Sequence, residues 1–207
     1  MKLQLSFELS DLDRALAIAH EVHQYADLFE IGSLLIGHHG IAAVRRFRDA
    51  FPEKTLLANI KIVDRPKSFV DAYAHAGANW VTVLAGTTES VIHRACRTAH
   101  DHNMKVMLDL IDASSLGQAA LEAKSLGVDT LLFHKPIEQE NELAFLDDWD
   151  MVHGNTELPV YVSAQITRKT IQDVLQVAPS GIVISEAVTH VDNPSEEAAF
   201  FSQIIRG

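Results

Sequence analysis

Asn59, Lys61 and Asp64 sit on one apolar run, Leu56-Leu57-Ala58-Asn59-Ile60-Lys61-Ile62-Val63-Asp64. In an extended strand alternate side chains share a face, so Asn59 and Lys61 are expected to point the same way. Asp64 then falls just past the strand end, where the chain turns. A lysine in an Ile/Leu/Val-rich strand is costly to bury unless it is paired or employed. The plainer alternative is a stem that snorkels from the strand end to solvent. Other apolar runs close on Glu8, Glu30, Asp109 and His134. Like charges around one mouth repel unless a cation or substrate balances them. Carboxylate oxygens with open water positions suit Mg²⁺, which makes Glu30 with Asp109 or Glu8 the candidate holders of a hard divalent ion. His134, after Leu131-Leu132-Phe133, has the near-neutral pKa that proton transfer needs, with a hydrogen-bonded strand-end histidine as the structural alternative.

Several other features carry less. His38-His39 is no metal pair, because sequence neighbours do not face one another on a helix. Asp147-Asp148-Trp149-Asp150 reads as a solvated helix face. Cys96, the single cysteine, lies in the apolar-periodic run from Val91 to Ala99 and reads as a buried structural thiol.

The elements that must position these residues repeat along the chain. Ala76-Gly77-Ala78-Asn79-Trp80-Val81-Thr82-Val83, Leu126-Gly127-Val128-Asp129-Thr130-Leu131-Leu132-Phe133 and Ala178-Pro179-Ser180-Gly181-Ile182-Val183-Ile184-Ser185 each read as helix end, turn and buried strand. Strands are expected at Leu3–Glu8, Leu28–Ile31, Thr55–Lys61, Trp80–Leu84, Val106–Leu110, Thr130–His134, Val160–Ser163 and Gly181–Ser185. Continuous rather than alternating apolar runs fit a parallel sheet covered on both faces. Helical patterns fill the intervals at Leu12–Tyr25, Gly40–Phe51, Lys67–His75, Glu89–Asn103, Leu116–Ser125, Ile137–Val152 and Thr170–Val177. Eight β-α units of about 26 residues predict an α/β fold, a single-domain (β/α)8 TIM barrel over 1–207. A doubly wound open sheet is the alternative; it would use fewer strands, and no G-x-G-x-x-G loop follows the first one. In a barrel the strand C-termini share one mouth, so the candidate ring is Glu8, Glu30, Asn59, Lys61, Asp64, Asp109, His134, Lys135, Ser163-Ala164-Gln165 and Ser185-Glu186.

Lys+Arg of 17 against Asp+Glu of 28 gives a net charge of -11, which argues against nucleic acid or an anionic membrane as partner. The first residues hold too short an apolar stretch for a signal peptide, and no stretch of about 18 apolar residues follows. A cytoplasmic protein is expected.

The motifs resemble a known group. Asn59-Ile60-Lys61-Ile62-Val63-Asp64 is similar to the D-x-K-x-x-D strand of the orotidine monophosphate decarboxylase suprafamily. Leu3-Gln4-Leu5, Glu30-Ile31-Gly32, Ala76-Gly77-Ala78 with Val81-Thr82-Val83-Leu84, His134, and Ala187-Val188-Thr189-His190 with Asp192-Asn193-Pro194 narrow it. They resemble 3-hexulose-6-phosphate synthases and, almost as well, 3-keto-L-gulonate-6-phosphate decarboxylases. That resemblance implies a homodimeric barrel with Mg²⁺ and a sugar-phosphate substrate, working through a 1,2-enediolate. The synthase forms it by deprotonating ribulose 5-phosphate and adds formaldehyde; the decarboxylase forms it by losing CO2. Carried over, Glu30, Asn59 and Asp109 are metal ligands, Lys61 stabilises the enediolate, His134 moves the proton and Asp64 reaches into the partner subunit's site. Glu8, Gln165, Ser185, Glu186 and Arg168 bind substrate.

The chain also departs from the group. Asn59 stands where the resemblance predicts an aspartate, and Glu8 replaces a shorter strand-one aspartate with a side chain expected to reach back toward the metal. Ser163-Ala164-Gln165 and Ser185-Glu186 replace glycine turns whose N–H groups cradle phosphate, so weak Mg²⁺ binding and a crowded phosphate end are expected, with Arg168 as compensation. Lys135-Pro136-Ile137 lacks both the small, flexible residues of the synthases and the arginine of the decarboxylases, and the missing arginine favours the synthase reaction. A diverged, non-catalytic ligand-binding homologue is the alternative from another class.

Overall fold

A computed structural model describes residues 1–135 and 148–207. Pro136, Ile137, Asp147 and most of the expected helix Ile137–Val152 lie outside the described residues. Eight strands, β1 (Lys2–Phe7), β2 (Leu28–Ile31), β3 (Thr55–Ile62), β4 (Trp80–Leu84), β5 (Lys105–Asp109), β6 (Thr130–His134), β7 (Val160–Ser163) and β8 (Gly181–Ile184), pair in chain order into a closed barrel. Every ladder is parallel, and β8 returns to β1 through the register Leu5↔Ile184. The expected (β/α)8 barrel is the fold, with strand ends displaced from expectation by a residue at most.

Alternation divides the strands into two cores. Leu3, Leu5 and Phe7 of β1 face outward with the helices, in a cluster that includes Ala15 and Ala19 of α1 (Leu12–Val22) and Phe47 of α3 (Ile41–Ala50). The opposite parity supplies a small separate core inside the barrel: Leu28, Leu57, Met107, Leu132, Tyr161 and Val183, with Trp80 against it. Tyr161 crosses the interior at Gly181, where an added Cβ would lie 2.7 Å from its ring. Burial pushes that phenol up to about 12. Above the interior core, on the same inward face, stand Glu30, Asn59, Thr82, Asp109 and His134.

The internal echo in the sequence has a structural cause. The residue just before each even-numbered strand closes the start of the odd-numbered strand before it. Asp27 accepts from the Leu3 N–H at 2.9 Å, Asn79 from Leu56 at 2.9 Å, Asp129 from Val106 at 2.8 Å and Ser180 from Val160 at 3.2 Å. The same four residues donate their own N–H to the carbonyls of Leu3, Leu56, Val106 and Val160. The barrel is therefore assembled from four two-strand units, each locked by one polar residue at the N-terminal face.

Beyond the expected helices the chain forms α2 (Ser33–His39), α9 (Glu186–Thr189) and α10 (Pro194–Arg206). The last has a readable start: Asn193 caps it through Glu196 N–H at 3.3 Å, and Pro194 occupies its first turn. The stretch from Ser33 to Phe51 is two helices because Gly40, at φ +56, breaks it. The remaining helices are α4 (Pro66–His75), α5 (Glu89–Asp101), α6 (Leu116–Ala123), α7 (Trp149–His153) and α8 (Ile171–Gln176).

Candidate active site

The C-terminal half of β3 is irregular. Ala58 pairs with Val81 but Ile62 pairs with Val83, so β3 carries extra residues in a bulge, and Lys61 sits inside it at φ +45. A lysine in the left-handed region costs about 1–3 kcal/mol and persists only where its surroundings hold it. Thr82 of β4 does the holding. Its Oγ1 accepts the Lys61 N–H at 2.8 Å and donates to Asn59 Oδ1 at 3.0 Å.

The bulge aims the Lys61 ammonium at Asp109, 2.5 Å away at the tip of β5. His134, at the tip of β6, places Nδ1 3.0 Å from both Asp109 oxygens, and the Ile111 N–H adds a bond at 3.1 Å. Asp109 is fully buried, which alone would raise its pKa. The hydrogen bond from His134 and the nearby Lys61 ammonium outweigh burial and hold the carboxyl below its usual range. An ionised carboxylate only accepts, so His134 Nδ1 is the donor and the lone pair of the neutral ring lies on Nε2.

A second cluster adjoins the first through Asn59. Glu30, buried at the end of β2, accepts from Asn59 Nδ2 at 2.7 Å on Oε1 and from Gln4 Nε2 on Oε2. Burial, with Glu8 nearby, raises the Glu30 pKa despite the donors from Asn59, Gln4 and Ser6. The sequence offers no role for Thr82 or Gln4 beyond one signal, a polar residue at an inward position of an apolar strand.

The other candidates separate from this centre. Glu8 does not reach back toward Glu30. Its Oε1 accepts the Ser33 N–H at 2.9 Å and its Oε2 the Leu34 N–H at 3.0 Å, so it closes the start of α2. Gly32 permits this approach, since a Cβ there would lie 2.5 Å from the Glu8 carboxyl carbon. Arg168 is held by α10. It pairs with Glu197 at 2.9 Å and Glu196 at 3.4 Å, and its guanidinium lies 4.4 Å from the Phe200 ring centroid, all on α10. Gln165 and Glu186 are exposed beyond β7 and β8, and the Ser185 Oγ is buried with no hydrogen-bond partner among the described residues. Asp64 is 80% exposed and bonds the next N–H, of Arg65, rather than the Lys61 cluster of its own chain. Cys96 is buried and its thiol is pushed up to about 12, as a structural cysteine requires.

Residues 1–201 match the model of the orotidine 5'-phosphate decarboxylase / HUMPS family. The chain belongs to this family. Among curated members, 3-hexulose-6-phosphate synthases of Bacillus subtilis (strain 168) and Staphylococcus aureus (strain USA300) are each 28% identical, the first over 99% of both chains and the second over the whole of both. The solved 3-hexulose-6-phosphate synthase of Salmonella typhimurium superposes with a TM-score of 0.94, at 26% identity over 100% of this chain and 99% of that one.

Family membership raises the question of a divalent ion, and the donors here do not fit one well. Both oxygens of Glu30 take amide donors, both of Asp109 take Lys61 or His134, and both of Glu8 take helix N–H groups. No group of three or more His, Cys, Asp or Glu side chains among the described residues is placed to hold a metal ion. No helix among the described residues is long and apolar enough to cross a membrane.

Proposed function

We propose that this family member is a 3-hexulose-6-phosphate synthase-like lyase that joins formaldehyde to ribulose 5-phosphate. The observation that carries the reading is the shared carboxylate: Asp109 holds the Lys61 ammonium and the His134 imidazole side by side at the barrel mouth. His134 Nε2 removes the C1 proton of the ketose. The resulting enediolate places its charge on oxygen beside Lys61, whose ammonium is preorganised in a partly buried site where such charge is strongly stabilised. The enediolate carbon attacks formaldehyde, forming the carbon–carbon bond, and the new alkoxide takes the proton back from His134. The same proton thus leaves carbon and returns to oxygen, and the reaction balances without another reactant.

The partner in this reading is a second copy of the chain. Asp64 points away from its own centre, and Val63 at 54% and Phe69 at 45% exposure flank it with uncovered apolar surface. A homodimer that covers them and delivers Asp64 to the other subunit's mouth accounts for both features. A phosphorylated substrate is in keeping with a cytoplasmic enzyme.

Consumption of formaldehyde with ribulose 5-phosphate, followed by proton NMR exchange at C1 in D2O, tests the reading against CO2 release from 3-keto-L-gulonate 6-phosphate. C1 exchange with formaldehyde uptake is expected. Decarboxylation without formaldehyde uptake would transfer the site to the decarboxylase reaction. Folded protein that does neither would leave a ligand-binding homologue, the reading that Asn59, Gln165 and Glu186 favour by their identities.

A further inference from the structure

The hydrogen bonds around Glu30 run in one direction. The Lys61 N–H donates to Thr82 Oγ1, so the Thr82 hydroxyl proton is directed to Asn59 Oδ1. That fixes the Asn59 amide, and its Nδ2 is left facing Glu30 Oε1 at 2.7 Å. Gln4 Nε2 meets the other oxygen. The only charge in this buried cluster of Gln4, Glu30, Asn59 and Thr82 is the Glu30 carboxyl. A carboxylate in place of the Asn59 amide would set oxygen against oxygen at this separation, a contact that needs a cation or a shared proton between them. The amide N–H fills that place.

We infer that the Asn59 amide takes the place of a divalent ion at this mouth, and that the centre works metal-free with the Lys61 ammonium as its electrophile. The inference rests on the proposed enediolate chemistry. It changes what holds the negative charge: a hydrogen-bonded cage immobilises Glu30, and the substrate oxyanion meets an ammonium rather than a metal. A divalent ion entering here would have to break at least one amide bond to Glu30 and would then sit close to the Lys61 cation. Magnesium demands near-octahedral oxygen coordination and gives up its waters reluctantly, so a single caged carboxylate is a poor host.

The test uses the full chain and two independent readouts. Electron paramagnetic resonance with Mn²⁺ reports binding directly, with Glu30→Gln as the control for surface histidines. C1 exchange of ribulose 5-phosphate is followed with EDTA and with added Mg²⁺. The wild type is expected to show no Mn²⁺ binding that Glu30→Gln abolishes, and exchange within about twofold in EDTA and in Mg²⁺. Asn59→Asp, which restores a carboxylate pair, is expected to gain a Mn²⁺ site at least about tenfold tighter than any in the wild type. Wild-type Mn²⁺ binding that is lost in Glu30→Gln overturns the inference, as does exchange that stops in EDTA and returns with Mg²⁺. If Asn59→Asp fails to fold without metal but folds with it, the cage argument is supported, and the wild-type titration stands by itself in any case. Absence of exchange in every condition would instead defeat the lyase reading, while the Mn²⁺ titration still decides the cage.

Discussion

The two ends of this barrel use polar residues in opposite ways. At the N-terminal face, Asp27, Asn79, Asp129 and Ser180 each accept one strand N–H, and Arg48 ties together the carbonyls of Phe51, Pro52, Lys54 and Gly77 with the Asn79 side chain. Each group there satisfies backbone that would otherwise lose a partner. At the C-terminal face, polar side chains bond mainly to one another, Lys61 occupies a left-handed bulge and Glu30 has a raised pKa. Polar groups at the first end contribute stability; those at the second hold charges in place at some cost in stability. The difference teaches where substitutions should separate folding from function.

The sharpest way to break that comparison is to exchange one residue at each end. Lys61→Ala removes the proposed electrophile and should slow C1 exchange by about a thousandfold, in the range seen when a preorganised oxyanion donor is lost. Arg48→Ala should leave the exchange rate within about twofold while lowering the midpoint of urea unfolding. A folded Arg48→Ala protein that loses rate as heavily as Lys61→Ala would show that the ends are not independent. Asn79→Ala is the cleaner probe of the first end, because it leaves the Leu56 N–H without its acceptor and the Arg48 guanidinium without one of its own. A loss of about 1–3 kcal/mol is expected from urea titration, with the rate per folded molecule unchanged.

The sequence showed the two ends unequally, for a physical reason. Strand ends and inward positions follow from apolar runs of period two, so Glu30, Lys61, Asp109 and His134 could be placed on one mouth from spacing alone. The echo Asn79, Asp129, Ser180 was visible as repetition, although its meaning as a strand lock depends on pairing between successive units. Which side chains a polar group bonds is not a periodic property. Glu8 looked like a reserve charge for a metal, yet the N-terminus of α2, a helix absent from the expected pattern, claims it. Arg168 looked like a phosphate partner, yet α10, equally absent, supplies Glu196, Glu197 and Phe200. Both corrections came from missed helices, and one of them had a legible start in Asn193-Pro194.

Thr82 joins the two clusters of the mouth and gives the next, smaller effect. Thr82→Val keeps the side-chain shape but removes the hydroxyl, leaving the Lys61 N–H and Asn59 Oδ1 without partners in a buried place. The expected costs are about 1–3 kcal/mol of stability and roughly tenfold in kcat, the latter corresponding to about 1.4 kcal/mol in the barrier, with KM for ribulose 5-phosphate little changed. Thr82→Ser restores the hydroxyl and should recover the rate. If kcat stays at the wild-type value in Thr82→Val, the bulge holds Lys61 without help and Thr82 is only a packing residue.

The smallest effect is in pH dependence, and it sets Asp109 against Glu30 within the same mouth. The Asp109 pKa is depressed by His134 and Lys61 despite burial, so its contribution to stability is present above the ordinary carboxylate value of about 4 and is lost as pH falls through its lower folded value. Glu30 is raised by burial and by Glu8, which reverses the sign: between the ordinary value of about 4 and its raised folded value the native state keeps a proton the unfolded chain has released. Stability from Glu30 is therefore lost as pH rises through that window. Subtracting the unfolding free energy of Glu30→Gln from that of the wild type at each pH removes groups common to both proteins. The difference should decline with increasing pH from about pH 4 and then level off, whereas the corresponding difference for Asp109→Asn should be flat in that range and decline only as pH falls below it. A Glu30 difference that is flat above pH 4 would mean that the amides of Gln4 and Asn59 offset the burial of the carboxylate fully, and the functional end would then carry no electrostatic cost at that residue.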